Sequence, residues 1–252
     1  MAQPIKSILF DLGDTLLDFG KIDIPSLFES GARLAYDYLS RLNMPLPPFA
    51  RYHRQQLWAI RWNVLVSRVI RREFNSLNVI DRLARRMGHD LTEQQRVDLA
   101  WCWYEPLRRC AKVEEGLRET LKSLRDRGLR LGLVSNTFIP GQVLDRHLQQ
   151  VDLLEFLPIR VYSCDVRFRK PHANIFRIAL EQTGVLPRET LFVGDSPAFD
   201  IAGANRSGLI SVLKDPANRH ERTRYRPRHR IARLAELLDL VRQYNQDGLL
   251  VR

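Results

Sequence analysis

Four residues stand out for the chemistry they could share: Asp11, Ser135, Lys170 and Asp195. Three end a short apolar run: Ile8-Leu9-Phe10 leads into Asp11, Leu131-Gly132-Leu133-Val134 into Ser135, and Leu191-Phe192-Val193-Gly194 into Asp195. Lys170 follows the strand expected around 159–163 and stands immediately before Pro171. If they converge, two carboxylates, a hydroxyl and an ammonium meet at one mouth. Two carboxylates suit a hard divalent cation such as Mg2+, which accepts few protein carboxylates and keeps room for water and phosphate. A serine hydroxyl, neighbouring amides and a lysine can neutralise phosphate oxygens. An aspartate beside such a cation can also serve as a nucleophile, since aspartyl-phosphate is a known kind of covalent intermediate.

Such a mouth needs a scaffold that brings strand ends together. After residue 113 the hydrophobic rhythm alternates between short apolar runs and helical spacing. Helices are expected at 116–127 (closed by Gly128), at 141–150, from Pro171 through Leu180, at 198–207 and at 231–243; strands are expected at 129–134, 159–163, 191–193 and 209–213. This alternation predicts a parallel sheet with helices on both faces, a Rossmann-like α/β fold. In such sheets ligands bind outside the carboxyl ends of the strands, where the strand order reverses.

Residues 18–110 have another texture. Apolar positions recur at helical spacing through Ile24–Leu42, and the loop Asn43–Pro48 breaks that helix. A second helix starts near Phe49 and carries Leu57, Ile60, Trp62, Leu65, Val69 and Ile70. It breaks around Asn75–Asn78 and resumes to Met87, before Gly88. Thr92 and Gln95 have the spacing of a capping box for a further helix through Trp101, Trp103 and Leu107. The expected organisation is a core of 1–17 and 111–252, with an all-helical cap at 18–110 inserted after the first strand.

The chain has 252 residues, 44% of them apolar and 27% charged, an ordinary globular balance. No apolar run approaches the roughly 18–20 residues that span a bilayer, and Met1–Lys6 lacks the order of a signal peptide. The three cysteines (Cys102, Cys110 and Cys164) form no CxxC, which speaks against a zinc site or disulfide scaffold. The expectation is a cytoplasmic protein with no membrane partner, a monomer or homodimer. The net charge is +11, and 34 of the 40 basic residues are arginine. Arginine is suited to phosphate, but these are scattered, as on a solvated surface. The run Arg219–Arg230 lacks a recognisable nucleic-acid motif and reads as a solvated loop, so a nucleic-acid partner is disfavoured.

The sequence resembles the haloacid dehalogenase superfamily of Asp-nucleophile hydrolases, in the phosphoglycolate-phosphatase-like group with a helical cap after the first motif. Phe10-Asp11-Leu12-Gly13-Asp14-Thr15-Leu16 looks like motif one, and Val134-Ser135-Asn136 like motif two. Arg169-Lys170-Pro171-His172-Ala173-Asn174-Ile175-Phe176 looks like motif three, and Val193–Ala204 like motif four. Each motif alone is weak; all four in order around a helical insertion are specific. The resemblance implies a Mg2+-dependent phosphatase acting on a small phosphorylated metabolite. It implies that Asp11 attacks phosphorus, and that Asp11, the Gly13 carbonyl and Asp195 bind Mg2+. Ser135 and Lys170 would hold the phosphoryl group with amide support from Asn136, Asp200 would orient Lys170 or serve the metal's outer shell, and Thr15 would brace the Asp11 loop.

Gly13 departs from the pattern. Family phosphatases usually carry a second Asp there, which protonates the leaving group and then activates water; such catalysis is worth about 10²–10⁴ in rate. Asp14 is one residue on and is the candidate substitute, although adjacent side chains on an extended segment point opposite ways. The dehalogenases carry an aromatic residue at this position, which disfavours that activity. The rival reading is a non-catalytic, phosphate- and metal-binding regulatory protein. Trp58, Trp62, Trp101 and Trp103 read as cap core rather than a substrate pocket, with Arg54 and Arg61 mostly solvated. His53, His89, His147, His172 and His220 read as surface or loop residues, His172 being the one near Lys170.

Overall fold

The computed structural model describes residues 4–70 and 72–246. The Met1–Gln3 start and the two outer limits of the expected core therefore lie outside the described residues.

Six strands form one parallel sheet in the order β5-β4-β1-β6-β7-β8: β1 (Ser7–Phe10), β4 (Arg130–Ser135), β5 (Ile159–Tyr162), β6 (Thr190–Gly194), β7 (Ile210–Lys214) and β8 (His229–Ile231). The central strands are buried on both faces, so they read as continuous apolar runs rather than alternating ones. The chain builds outward from β1 through β4 to β5, then crosses back to β6 on the other side of β1. The order therefore reverses at β1, and Asp11, Ser135 and Asp195 sit at the carboxyl ends of three neighbouring strands.

Helices α5 (Leu117–Asp126), α6 (Gly141–Gln150), α8 (Ala173–Thr183), α9 (Ala202–Arg206) and α10 (Leu237–Gln246), with the short α7 (Ser163–Val166), connect and flank these strands. Four helices, α1 (Ile24–Arg41), α2 (Phe49–Ile70), α3 (Ser76–Arg86) and α4 (Glu93–Cys110), fall between β2 (Leu17–Asp18) and β3 (Lys112–Val113). The antiparallel pair β2–β3 ties the two ends of this insertion together. Helix α4 starts with the Thr92/Gln95 capping box, both reciprocal bonds present. Helices α1 and α4 pack closely at Gly31, where a Cβ would lie 2.8 Å from the Trp103 carbonyl oxygen.

Several sequence expectations need correction. The segment 229–231 is an edge strand, and the last helix starts at Leu237 after a 3-10 turn at Leu234–Glu236. Pro171 does not open α8; the helix begins at Ala173, and the His172 ring caps it by accepting from the Asn174 N–H. Residues 197–201 form a π-helical turn ahead of α9. His147 is buried rather than superficial, and Trp58 and Trp62 are 69% and 58% exposed rather than core. No described helix is long and apolar enough to cross a membrane.

Candidate active site

The carboxyl ends of β1, β4 and β6 open into a cleft of about 370 Å³ lined by Asp11, Gly13, Ser135, Asn136, Lys170, Asp195 and Asp200. The four residues singled out from sequence thus share one concavity with two expected to support them. Asp11 follows β1 directly, its N–H donating to the Val193 carbonyl of β6 at 2.8 Å. Residues 12–17 then close a tight turn, with the Leu12 carbonyl accepting from both the Leu16 and Leu17 amides at 2.9 Å.

Lys170 is the hub. Its Nζ lies 2.5 Å from Asp11 Oδ1 and 2.7 Å from Asp200 Oδ1, with all three side chains largely buried. Burial pulls the lysine's pKa down, but the two carboxylates outweigh it and hold the ammonium above its ordinary value. Asn136 fixes the backbone beneath it: Asn136 Oδ1 accepts from the Lys170 N–H at 2.7 Å, and Asn136 Nδ2 donates to the Lys170 carbonyl at 3.0 Å. The Asn136 side chain is thereby engaged in placing Lys170. Asp200 accepts from the Ser196 N–H at 2.9 Å through its other oxygen. It reaches this position because residue 194 is glycine; a Cβ there would lie 2.4 Å from the Asp200 carboxyl.

The charges do not balance. Asp11, Asp195 and Asp200 each offer an oxygen within 4.8 Å of the others', against the single ammonium of Lys170. Burial, opposed by Lys170 and reinforced by Asp200, raises Asp11 to about 6. Burial, then repulsion from Asp11, Asp200 and Asp14, raises Asp195 to about 7. Asp200 is committed to Lys170, so Asp11 and Asp195 remain as two mutually repelling carboxylates. This surplus of negative charge in a buried place fits a hard divalent cation held by oxygen donors.

The remaining expected residues are placed differently. Asp14 has a left-handed backbone (φ 56°), is exposed, and accepts a 3.3 Å hydrogen bond from the Phe19 N–H; it is not among the cleft-lining residues. The turn that orders Asp11 thus commits Asp14 Oδ1 to the Phe19 amide at the cleft's rim, near enough to Asp195 to add to its repulsion. Thr15 is buried with an unpartnered hydroxyl, and its carbonyl accepts from Lys214 Nζ at 2.8 Å; the loop is braced through that carbonyl. His172 is an exposed helix cap, while Arg54 and Arg61 lie on the outer face of α2.

The cleft's far wall belongs to none of the four motifs. Phe19, Tyr104, Leu107, Ile139 and Leu144 give it an apolar side, with Tyr104 and Leu107 coming from α4. The Tyr104 hydroxyl is hydrogen-bonded with His147 Nδ1 at 2.8 Å, and burial, helped by Arg108, lowers His147 to about 4, leaving a neutral ring. Arg169 also lines the cleft, and its Nε meets Glu73 Oε2 at 3.3 Å. Glu73 further accepts from Ser163 Oγ at 3.2 Å, and the Glu73 N–H donates to the Arg167 carbonyl at 3.1 Å, so the α2–α3 connection is docked beside motif three. The only sequence signal for this contact was the break in helical rhythm near Asn75.

Comparisons with known proteins bear on the family and the fold. The profile of the haloacid dehalogenase-like hydrolases matches residues 5–208. Over 255 aligned residues the chain is 28% identical to a glyceraldehyde 3-phosphate phosphatase of Methanopyrus kandleri, covering 96% of this chain and 100% of the relative. It is 35% identical over 94 residues to phosphoglycolate phosphatase of Escherichia coli K12, covering 37% and 36% of the two chains. Among solved structures, a HAD phosphatase from Thermococcus onnurineus superposes with a TM-score of 0.60 at 23% identity, covering 94% of this chain and 98% of that one. A 2-haloacid dehalogenase from Pseudomonas syringae gives a TM-score of 0.65 at 21% identity, with 95% and 99% coverage. These last two establish the fold alone. With the profile spanning most of its length, and with a parallel sheet that gathers all four motifs at one mouth, this chain belongs to the haloacid dehalogenase-like hydrolases.

Proposed function

We propose that the protein is a phosphomonoesterase that uses Asp11 as nucleophile on small phosphorylated metabolites. The observation that carries this reading is the grouping of Asp11, Lys170 and Asp200 in one buried ion-paired cluster, with Asp195 and Ser135 lining the same cleft. Asp11, Asp195 and the Gly13 carbonyl would hold Mg2+, whose charge, when bound, offsets the negative charge of phosphate and carboxylates at the mouth. Lys170 and the Ser135 hydroxyl bind phosphoryl oxygens and orient phosphorus for in-line attack by an Asp11 oxygen. The P–O bond to the leaving group breaks as an Asp11 oxygen bonds to phosphorus, giving an aspartyl-phosphate; with Gly13 at the usual acid/base position, the leaving oxygen takes its proton from solvent. Water then attacks phosphorus and gives its proton to solvent as the aspartyl P–O bond breaks, releasing phosphate and restoring the carboxylate. Asp200 keeps Lys170 charged and aimed, and Asn136 holds its backbone.

Residues 18–110 act as a cap in this reading. The α4 side chains Tyr104 and Leu107 would exclude water and contact the leaving group. A cleft of about 370 Å³ lies at the small end of small-molecule sites. The full-length similarity to a glyceraldehyde 3-phosphate phosphatase supports the same substrate class. The experiment is hydrolysis of an activated aryl phosphate and of a metabolite panel with Mg2+. Wild type should turn over and Asp11→Asn should not; equal rates would refute the nucleophile.

One observation favours a second reading. Gly13 leaves the usual acid/base position empty, consistent with a protein that binds phosphate and metal without turnover. Metal-dependent binding of a phosphate mimic, with no hydrolysis across the panel, would favour it.

A further inference from the structure

Helix α2 carries an apolar stripe on its outer face. Trp58, Trp62, Leu65 and Val69 are 69%, 58%, 55% and 75% exposed. At 100° per residue, the four fall within a band about 60° wide and about 16 Å long. The inner face of the same helix is already used: Tyr52 is fully buried and stacks edge-on with Tyr36 of α1 at 5.3 Å. Helix α2 is thus apolar on two sides, and only one is covered by the fold.

We propose that this face is covered by the α2 helix of a second copy of the chain, packed antiparallel about a two-fold axis passing between Asn63 and Val64. The spacing of the stripe is self-complementary. That axis sets Trp58 opposite Val69 and Trp62 opposite Leu65, a large ring against a smaller side chain in each case. Helix α2 contains no acidic residue, and a parallel pairing in register would set Arg51, which lies within the band of the stripe, against its own copy. In the antiparallel register Arg51 and Arg54 extend past the carboxyl end of the partner's α2, where its dipole favours cations. A groove of about 400 Å³ beside the stripe, between α2 and α3, is lined by Trp58, Trp62, Leu83 and Met87 and can accept a partner side chain. The stripe offers on the order of 600 Å² per protomer, about three-quarters of the roughly 800 Å² that each partner of a standard interface buries. The aliphatic stems of Arg54 and Arg61 enlarge it. Because the contact lies on the capping helices and away from the cleft, the two caps would form one body against which each core moves.

The test is sedimentation or light scattering of the full chain at tens of micromolar. The expected species has twice the 29.4 kDa chain mass, and it persists at about 0.5 M salt because the contact is apolar. Trp62→Glu should weaken self-association by on the order of 100-fold or more and yield a folded monomer by circular dichroism. Trp58→Ser/Val69→Ser is the second, milder variant. On dilution of wild type, tryptophan emission should shift to longer wavelength as Trp58 and Trp62 become solvated. A wild-type monomer at these concentrations overturns the proposal. So does co-sedimentation of monomers with phosphatidylserine vesicles at low salt, which would assign the stripe to a lipid surface. A dimer that survives both variants places the contact elsewhere and overturns it too.

Discussion

Replacing Asp195 by asparagine should stabilise the metal-free protein at alkaline pH, although it removes a residue central to the site. Burial and the neighbouring Asp11, Asp200 and Asp14 raise the Asp195 carboxyl from 3.8 to about 7. The folded state therefore keeps this proton over a pH range in which the unfolded chain has already lost it. Linkage then requires stability to fall as pH rises from about 4 to beyond 7. A displacement of this size corresponds to about 4 kcal/mol. Partial exposure of Asp195 and the charge it shares with Asp11 reduce the expected effect to on the order of 2 kcal/mol. The assay is urea unfolding of both proteins with chelator present, at pH 4.5 and pH 8. Asp195→Asn should be more stable by about that amount at pH 8, and the difference should close at pH 4.5, where wild-type Asp195 is protonated. Adding Mg2+ at pH 8 should invert the order, since a cation at 100 times its Kd stabilises wild type by about 2.7 kcal/mol. Equal stabilities at pH 8 without metal, or an unchanged gap at pH 4.5, would refute the charge imbalance inferred for the cluster.

Three further outcomes follow from the geometry. Gly13→Asp is sterically admissible, because a Cβ at position 13 meets nothing closer than 3.7 Å, from the Phe19 ring; it should speed hydrolysis of alkyl phosphates by 10-fold or more, up to about 10³, and of aryl phosphates far less, as read from kcat on both. Asp14→Asn should change kcat by less than about 3-fold, because an oxygen of its exposed carboxylate is taken by the Phe19 amide and Asp14 is not among the cleft-lining residues; a loss of 100-fold would make Asp14 the acid/base after all. Glu73→Ala should cost about 2–4 kcal/mol in chemical denaturation, because it strips Arg169 and Ser163 of their buried partner.

The parts of the site legible in the sequence were those fixed by strand ends. Buried parallel strands are short apolar runs, and the first polar residue after each marks the sheet's carboxyl edge; this is why Asp11, Ser135 and Asp195 could be read as neighbours. Lys170 required the motif around it, since a lysine before a proline has no periodicity to place it. Contacts between segments far apart in sequence left no local trace: Tyr104 with His147, and Glu73 with Arg169, depend on how α4 and the α2–α3 connection sit against the core. Periodicity shows that α2 has apolar positions but not which face is covered, and Trp58 and Trp62 lie on the surface where a core placement is expected. Strand β8 was hidden because an edge strand of three residues within an arginine-rich run has too few apolar positions to show alternation. The Asp14 side chain was likewise not placeable, because its direction is set by a left-handed turn rather than by an extended segment.

The most direct test of the nucleophile is a rapid-quench experiment with radiolabelled acetyl phosphate and Mg2+. Phosphate should become attached to the peptide containing Asp11, in a form stable in acid and released by hydroxylamine, and Asp11→Asn should show none. Hydrolysis that proceeds with no such label, or a label that persists in Asp11→Asn, would contradict attack by this carboxylate.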